Sequence, residues 1–197
     1  MEENNVNTIV KEAVSYTVFT DGSFKKIKGE KANAASAYIV LNDNGEIITK
    51  GRGIIPNQKE GLINSLGAEL VPVINSLKYI CKTANSDKVN VKIMTDYQEL
   101  ESFHHLLKYR KKPKGHLKRL KLTSRLEKPQ WIWYYANLFQ VIHMFEKNGK
   151  ELALEIQWCK GHSGIVWNEE ADKLAKKSVE KGRKQQLESK NKGLASS

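Results

Sequence analysis

Four acids stand out by where they fall in the chain: Asp21, Glu69, Asp96 and Asp172. Asp21 follows the apolar run 15–20, and Asp96 follows the alternating Val89, Val91 and Ile93. Both runs read as strands, so each acid is placed at a strand's carboxyl end, where open α/β sheets gather their chemistry. Adjacent strands lie about 4.8 Å apart. Two carboxylates about 4 Å apart repel by roughly 4 kcal/mol at an effective dielectric near 20. Such a pair calls for a cation or a shared proton. Each acid also has an ordinary reading. Asp21 could serve a turn before Gly22, Asp96 could cap a helix, Glu69 could sit in solvent, and Asp172 could pair with Lys176. His162 lies in Lys160-Gly161-His162-Ser163-Gly164, whose two glycines make a flexible loop.

The elements that must position these groups can be read along the chain. The run 15–20 is a buried strand ending at Asp21-Gly22-Ser23. The runs 35–41 and 46–54 add two strands, joined by the hairpin turn Asn42-Asp43-Asn44-Gly45. Leu62, Leu66, Leu70, Val73, Leu77 and Ile80 recur at helical spacing, and Pro72 inside that stretch predicts a kink. A strand to Thr95 and a short helix over 97–107 follow. Trp131, Tyr134, Leu138, Val141, Ile142 and Phe145 mark another helix, closed by Asn148-Gly149. A strand over 152–158 leads to the histidine loop and a last helix from Asn168. The expected fold is α/β: a five-stranded mixed sheet, with an antiparallel β1-β2-β3 and parallel β4 and β5, flanked by helices. The expected divisions are a polar leader over 1–14, a catalytic domain over 15–182 and a polar, disordered tail over 183–197.

The 197 residues suit one domain, and the net charge of +11 is unevenly spread. Residues 108–128 carry +9 and residues 173–192 carry +6, leaving −4 for the remainder. Basic segments on an otherwise acidic body point to a polyanion partner. Two distant cysteines, Cys81 and Cys159, form neither a zinc pattern nor a disulfide framework. No secretory leader is visible, and no apolar run nears the roughly 20 residues that span a bilayer. The expectation is a soluble, cytoplasmic protein, monomeric and without a membrane partner.

Thr20-Asp21-Gly22-Ser23, Ala68-Glu69-Leu70, Thr95-Asp96-Tyr97-Gln98, the histidine loop and Asn168-Glu169-Glu170-Ala171-Asp172 occur in that order. Together they resemble the type I ribonuclease H family over roughly residues 15–180. The resemblance implies an active site of Asp21, Glu69, Asp96 and Asp172, with His162 assisting proton movement or product release. It implies two-metal hydrolysis of the RNA strand of RNA–DNA hybrids, largely independent of sequence, leaving 5′-phosphate and 3′-hydroxyl ends, with Asp21 shared by both ions. Hard carboxylate ligands suit Mg²⁺, with Mn²⁺ as the alternative.

The resemblance also implies substrate contacts. Gly22, Ser23 and Gln98 match positions near the RNA strand, where the 2′-hydroxyl distinguishes RNA from DNA. Asn64 stands where the family often has paired asparagines, and Asn168 opens the last acidic motif. Lys111, Lys112, Lys114, Lys118 and Arg119 fall in the basic protrusion over 108–128, and Trp131 follows as a candidate border of the DNA-strand groove. Ser65 in place of a second asparagine, and Pro72 shortly after Glu69, depart from the family pattern. Transposases, integrases, reverse-transcriptase nuclease domains and non-catalytic hybrid binders are the alternatives. The order Asp, Glu, Asp, His, Asp favours a ribonuclease H, and a pure binder has no need of the acids' repulsion.

Overall fold

The computed structural model describes residues 12–56, 61–108 and 128–194. The expected contacts Lys111, Lys112, Lys114, Lys118 and Arg119 lie outside the described residues. Strands β1 (Val14–Lys25), β2 (Asn33–Leu41) and β3 (Ile47–Ile54) precede helix α1 (Ser65–Thr83). Then come β4 (Lys88–Thr95), α2 (Gln98–Lys108), α3 (Pro129–Lys147), β5 (Glu151–Trp158) and α4 (Val166–Leu194). The sheet order is β3-β2-β1-β4-β5. β1 pairs antiparallel with β2 and parallel with β4, and β4 pairs parallel with β5. The mixed sheet expected from the sequence is therefore present.

Strand alternation decides which face each residue serves. Val18 belongs to the core cluster that holds Leu70, Val73 and Ile74 of α1 and Tyr134 and Leu138 of α3. Its neighbour Phe19 packs against Ala171 of α4 on the opposite face. The sheet is thus sandwiched, with α1 and α3 on one side and α4 on the other.

Two expectations about elements need correction. β1 does not stop at Asp21-Gly22-Ser23. Its parallel ladder with β4 ends at Thr20↔Thr95, but its antiparallel ladder with β2 runs on to Lys25↔Asn33. α1 runs through Pro72, which is itself buried. The tail is not frayed from residue 183. α4 continues to Leu194, held to the β1–β2 connection by Arg183, whose Nε and Nη2 donate to Glu30 at 2.7 and 3.0 Å. Lys25 pairs with Glu180, and Asn33 Nδ2 donates to Gln186 Oε1 at 3.2 Å. The polar composition that reads as disorder is here the exposed surface of a docked helix.

Candidate active site

The end of the β1–β4 parallel ladder creates the site. Asp21 and Asp96 are the residues immediately after the last parallel pair, Thr20↔Thr95. Asp21 has the face of Phe19 and Asp96 that of Met94, both packed in the cluster with α4's Ala171. Gly22 therefore faces α1. A Cβ there would stand 2.4 Å from the Ala68 carbonyl carbon, so glycine is what lets α1 press close enough to bring Glu69 to the strand. Asn64 caps α1, its Oδ1 accepting from Gly67 N at 2.8 Å.

Ligand oxygens of Asp21, Glu69 and Asp96 lie within 4.8 Å of one another. Asp172, on the second turn of α4, joins from the side. It shares a hydrogen bond with Asp21, and its Oδ2 takes Lys176 Nζ at 2.7 Å. Its bland pairing with Lys176 and its place beside the cluster therefore hold together.

The electrostatics are those of crowded carboxylic acids. Burial, then Asp96 and Asp172, push Asp21 up to about 8, although Gly22 N donates to its Oδ1 at 2.6 Å. Burial and the Asp21 charge hold Glu69 well above the usual carboxylate range. Asp96 is raised by burial and partly relieved by hydrogen bonding, including one from Asn168, and by His162. Glu69 Oε2 is buried without a hydrogen-bond partner among the described residues. Three converging carboxylates with an orphaned oxygen fit hard divalent cations of the Mg²⁺ class.

The remaining expected residues divide. His162 is exposed at a left-handed φ of 52°, on a loop pressed against the site: a Cβ on Gly161 would sit 2.7 Å from Asp96 Oδ2. Ser23 is half-buried on β1 beyond Asp21, and Gln98 is exposed at the start of α2. Two expected substrate contacts, Trp131 and Asn168, are corrected, and a third, Asn64, is seen in a structural task. Trp131 is 2% exposed and stacks on Phe103 at 4.3 Å in the core between α2 and α3, so it borders no groove. Asn64 spends its side chain on the α1 cap and on Gly61 O. Asn168 is 2% exposed, lying beneath the site.

Asn168 and two neighbours form support that sequence reasoning missed. The Asn168 side chain bonds Asp96, and its Oδ1 accepts from Cys159 Sγ at 3.5 Å. Trp158 Nε1 donates to the Asp96 carbonyl at 3.1 Å, and the Trp158 N–H donates to Glu101 Oε1 at 3.2 Å. The only signal for these groups was adjacency to the motifs, which does not tell a substrate contact from a buried brace.

Comparison with known proteins follows the geometry. A family model described as RNase H matches residues 13–180. No curated protein matches the chain. RNase H1 from the halophilic archaeon Halobacterium salinarum NRC-1 is 17% identical with a TM-score of 0.52, covering 85% of this chain and 98% of that one. LC11-RNase H1, solved with an RNA/DNA hybrid, is 14% identical with a TM-score of 0.52 over 85% of this chain and 98% of its own. A foamy viral protease-reverse transcriptase, solved with dsDNA, is 16% identical with a TM-score of 0.56, covering 84% and 94%. At these identities the structural likeness speaks to the fold alone. With the family model spanning every acid of the cluster and the histidine loop, the chain belongs to the RNase H family.

Proposed function

We infer that this protein is a ribonuclease H, an endonuclease that hydrolyses the RNA strand of RNA–DNA hybrids with little regard to sequence. The observation that carries the reading is the convergence of Asp21, Glu69 and Asp96 within 4.8 Å, in a chain matched by the RNase H family model.

Asp21, Glu69 and Asp96 would hold divalent ions, with Asp172 completing the set. Mg²⁺ is the proposed ion and Mn²⁺ the alternative, two per site with substrate bound. Bound ions would supply an activated water and charge neutralisation at the phosphodiester, leaving 5′-phosphate and 3′-hydroxyl ends. The protein's own part is to orient. Gly22 N–H and Asn168 fix two carboxylates, and the indole N–H of Trp158 fixes the carbonyl of Asp96. Exposed His162, beside Asp96, can carry a proton to or from the product side. Ser23 and Gln98 flank the cluster where sugar contacts would discriminate RNA. The basic segment 108–128 would grip phosphates and make binding salt-dependent.

We read the working unit as a monomer, because one chain supplies every acid. We read its compartment as the cytoplasm. Both cysteines are free, as in a reducing environment, and no described helix is long and apolar enough to cross a membrane. A gel assay with one RNA–DNA hybrid and matched double-stranded RNA and DNA, each with Mg²⁺, Mn²⁺ or EDTA, tests the function. Hybrid-only cleavage that EDTA abolishes is expected; cleavage that survives EDTA, or that ignores the hybrid, would overturn it.

A further inference from the structure

The outer face of α4 carries a row of lysines. Lys173, Lys177, Lys181 and Lys184 are all exposed. At about 100° and 1.5 Å per residue they fall within an arc of roughly 80° and span about 16 Å of the helix. Among the described residues, none of the four makes an ion pair. A merely solvated face would serve as well with charges of both signs. What sets this one apart is where the acids of α4 are engaged. Glu169 accepts from Gly164 N at 3.0 Å, Glu170 pairs with Lys50 at 3.1 Å, Asp172 takes Lys176 at 2.7 Å, and Glu180 takes Lys25. Glu188 comes only after the row, one turn past Lys184.

The row also stands on the edge of the sheet that bears the carboxylates. Lys173 directly follows Asp172. Lys181 and Lys184 each adjoin an anchored residue, Glu180 tied to Lys25 and Arg183 tied to Glu30. Lys25 and Glu30 follow Asp21 along β1 and into the β1–β2 connection. α4 therefore carries its lysines past the acids, on the side where the β1–β4 ladder ends. Lysines spaced about 5–6 Å along a docked helix can each neutralise a phosphate of one backbone.

We propose that this row binds phosphates of the RNA–DNA hybrid flanking the acidic cluster, a contact separate from that of segment 108–128. Lys181 and Lys184 lie past the residues that the family model matches, so half of the row belongs to the far end of α4. The proposal rests on the hybrid as substrate, but not on its hydrolysis.

Two variants of equal charge test it. One combines Lys177→Gln, Lys181→Gln and Lys184→Gln. The other combines Lys82→Gln, Lys88→Gln and Lys147→Gln, exposed lysines where α1 and α3 end and β4 begins, at the opposite edge of the sheet. Binding of a fluorescein-labelled RNA–DNA hybrid is read by anisotropy in EDTA across a NaCl series, with thermal unfolding to confirm folding. The α4 variant should bind about tenfold more weakly and lose up to about 2.7 from the slope of log K against log salt, at about 0.9 per phosphate contact. The control variant should stay within about twofold of wild type. Equal weakening of the two would overturn the proposal, since net charge would then suffice, and so would wild-type binding by the α4 variant. Preference of the wild type for phosphatidylserine vesicles over hybrid, lost in the α4 variant, would assign the row to a membrane surface and overturn it too. Selective loss of binding in a protein that cuts no hybrid would sink the nuclease reading and keep the row; cleavage without selective loss would do the reverse.

Discussion

Asn168 bonds Asp96 from beneath the site while accepting the Cys159 thiol on its Oδ1. An amide can present either end. A thiol donor at the oxygen leaves the NH₂ for the carboxylate, so a residue only 2% exposed helps to aim Asp96. Groups that orient metal ligands typically matter by about 10–100-fold in metal affinity or activity. Asn168→Ala should lower hybrid cleavage by that order, with the loss partly recovered at high Mg²⁺. Isothermal titration of Mg²⁺ beside steady-state kinetics checks it; an unchanged metal affinity with a raised KM would return Asn168 to substrate binding.

Asp21 makes the metal-free protein pH-sensitive. Its folded value of about 8 lies above the ordinary 3.8, so folding favours its protonated form. The stability it contributes is full below the unfolded value and is lost as pH rises through the folded one. Metal-free Tm should therefore fall between about pH 5 and pH 8, and Asp21→Asn should flatten that fall while abolishing cleavage. Mg²⁺ should raise Tm more at the alkaline end, where fewer protons must be displaced. Differential scanning calorimetry with EDTA or Mg²⁺ measures this, and identical slopes in wild type and variant would refute the assignment.

Gly22 is required by contact with α1. The alanine Cβ would lie 2.4 Å from backbone of Ala68, next to Glu69, and backbone cannot rotate aside. Gly22→Ala should cost about 1–3 kcal/mol of stability. Cleavage should fall further than the folded fraction, because Glu69 moves with Ala68. Denaturant unfolding and activity measured on the same sample separate the two effects.

His162 is proposed to assist turnover. Exposed, on a loop beside Asp96, it can be truncated without opening the core. His162→Ala should slow turnover by about a hundredfold, leaving KM and Tm near wild type. Loss of stability instead would show that the loop depends on the imidazole.

Much of the architecture was open to reading because it rests on local patterns. Alternation in Val89, Val91 and Ile93 and helical spacing from Leu66 to Ile80 need only a strand's or a helix's period to mean burial. The Asp-Glu-Asp-His-Asp order likewise survives in one dimension, and it was enough to name the family. Trp131 was not open in the same way. A tryptophan after a basic stretch looks the same whether it faces nucleic acid or, as here, Phe103.

The chain alone determined which residues carry charge, which periods the elements follow, and that four acids end or line those elements. Tertiary structure decided the rest, because distance in space depends on pairing. The parallel register ends at Thr20↔Thr95, Gly22 admits α1, and α4 brings Asp172 alongside Asp21. The same packing turned Asn168 inward and kept the polar end of α4 helical, through partners more than 150 residues away such as Glu30 and Asn33.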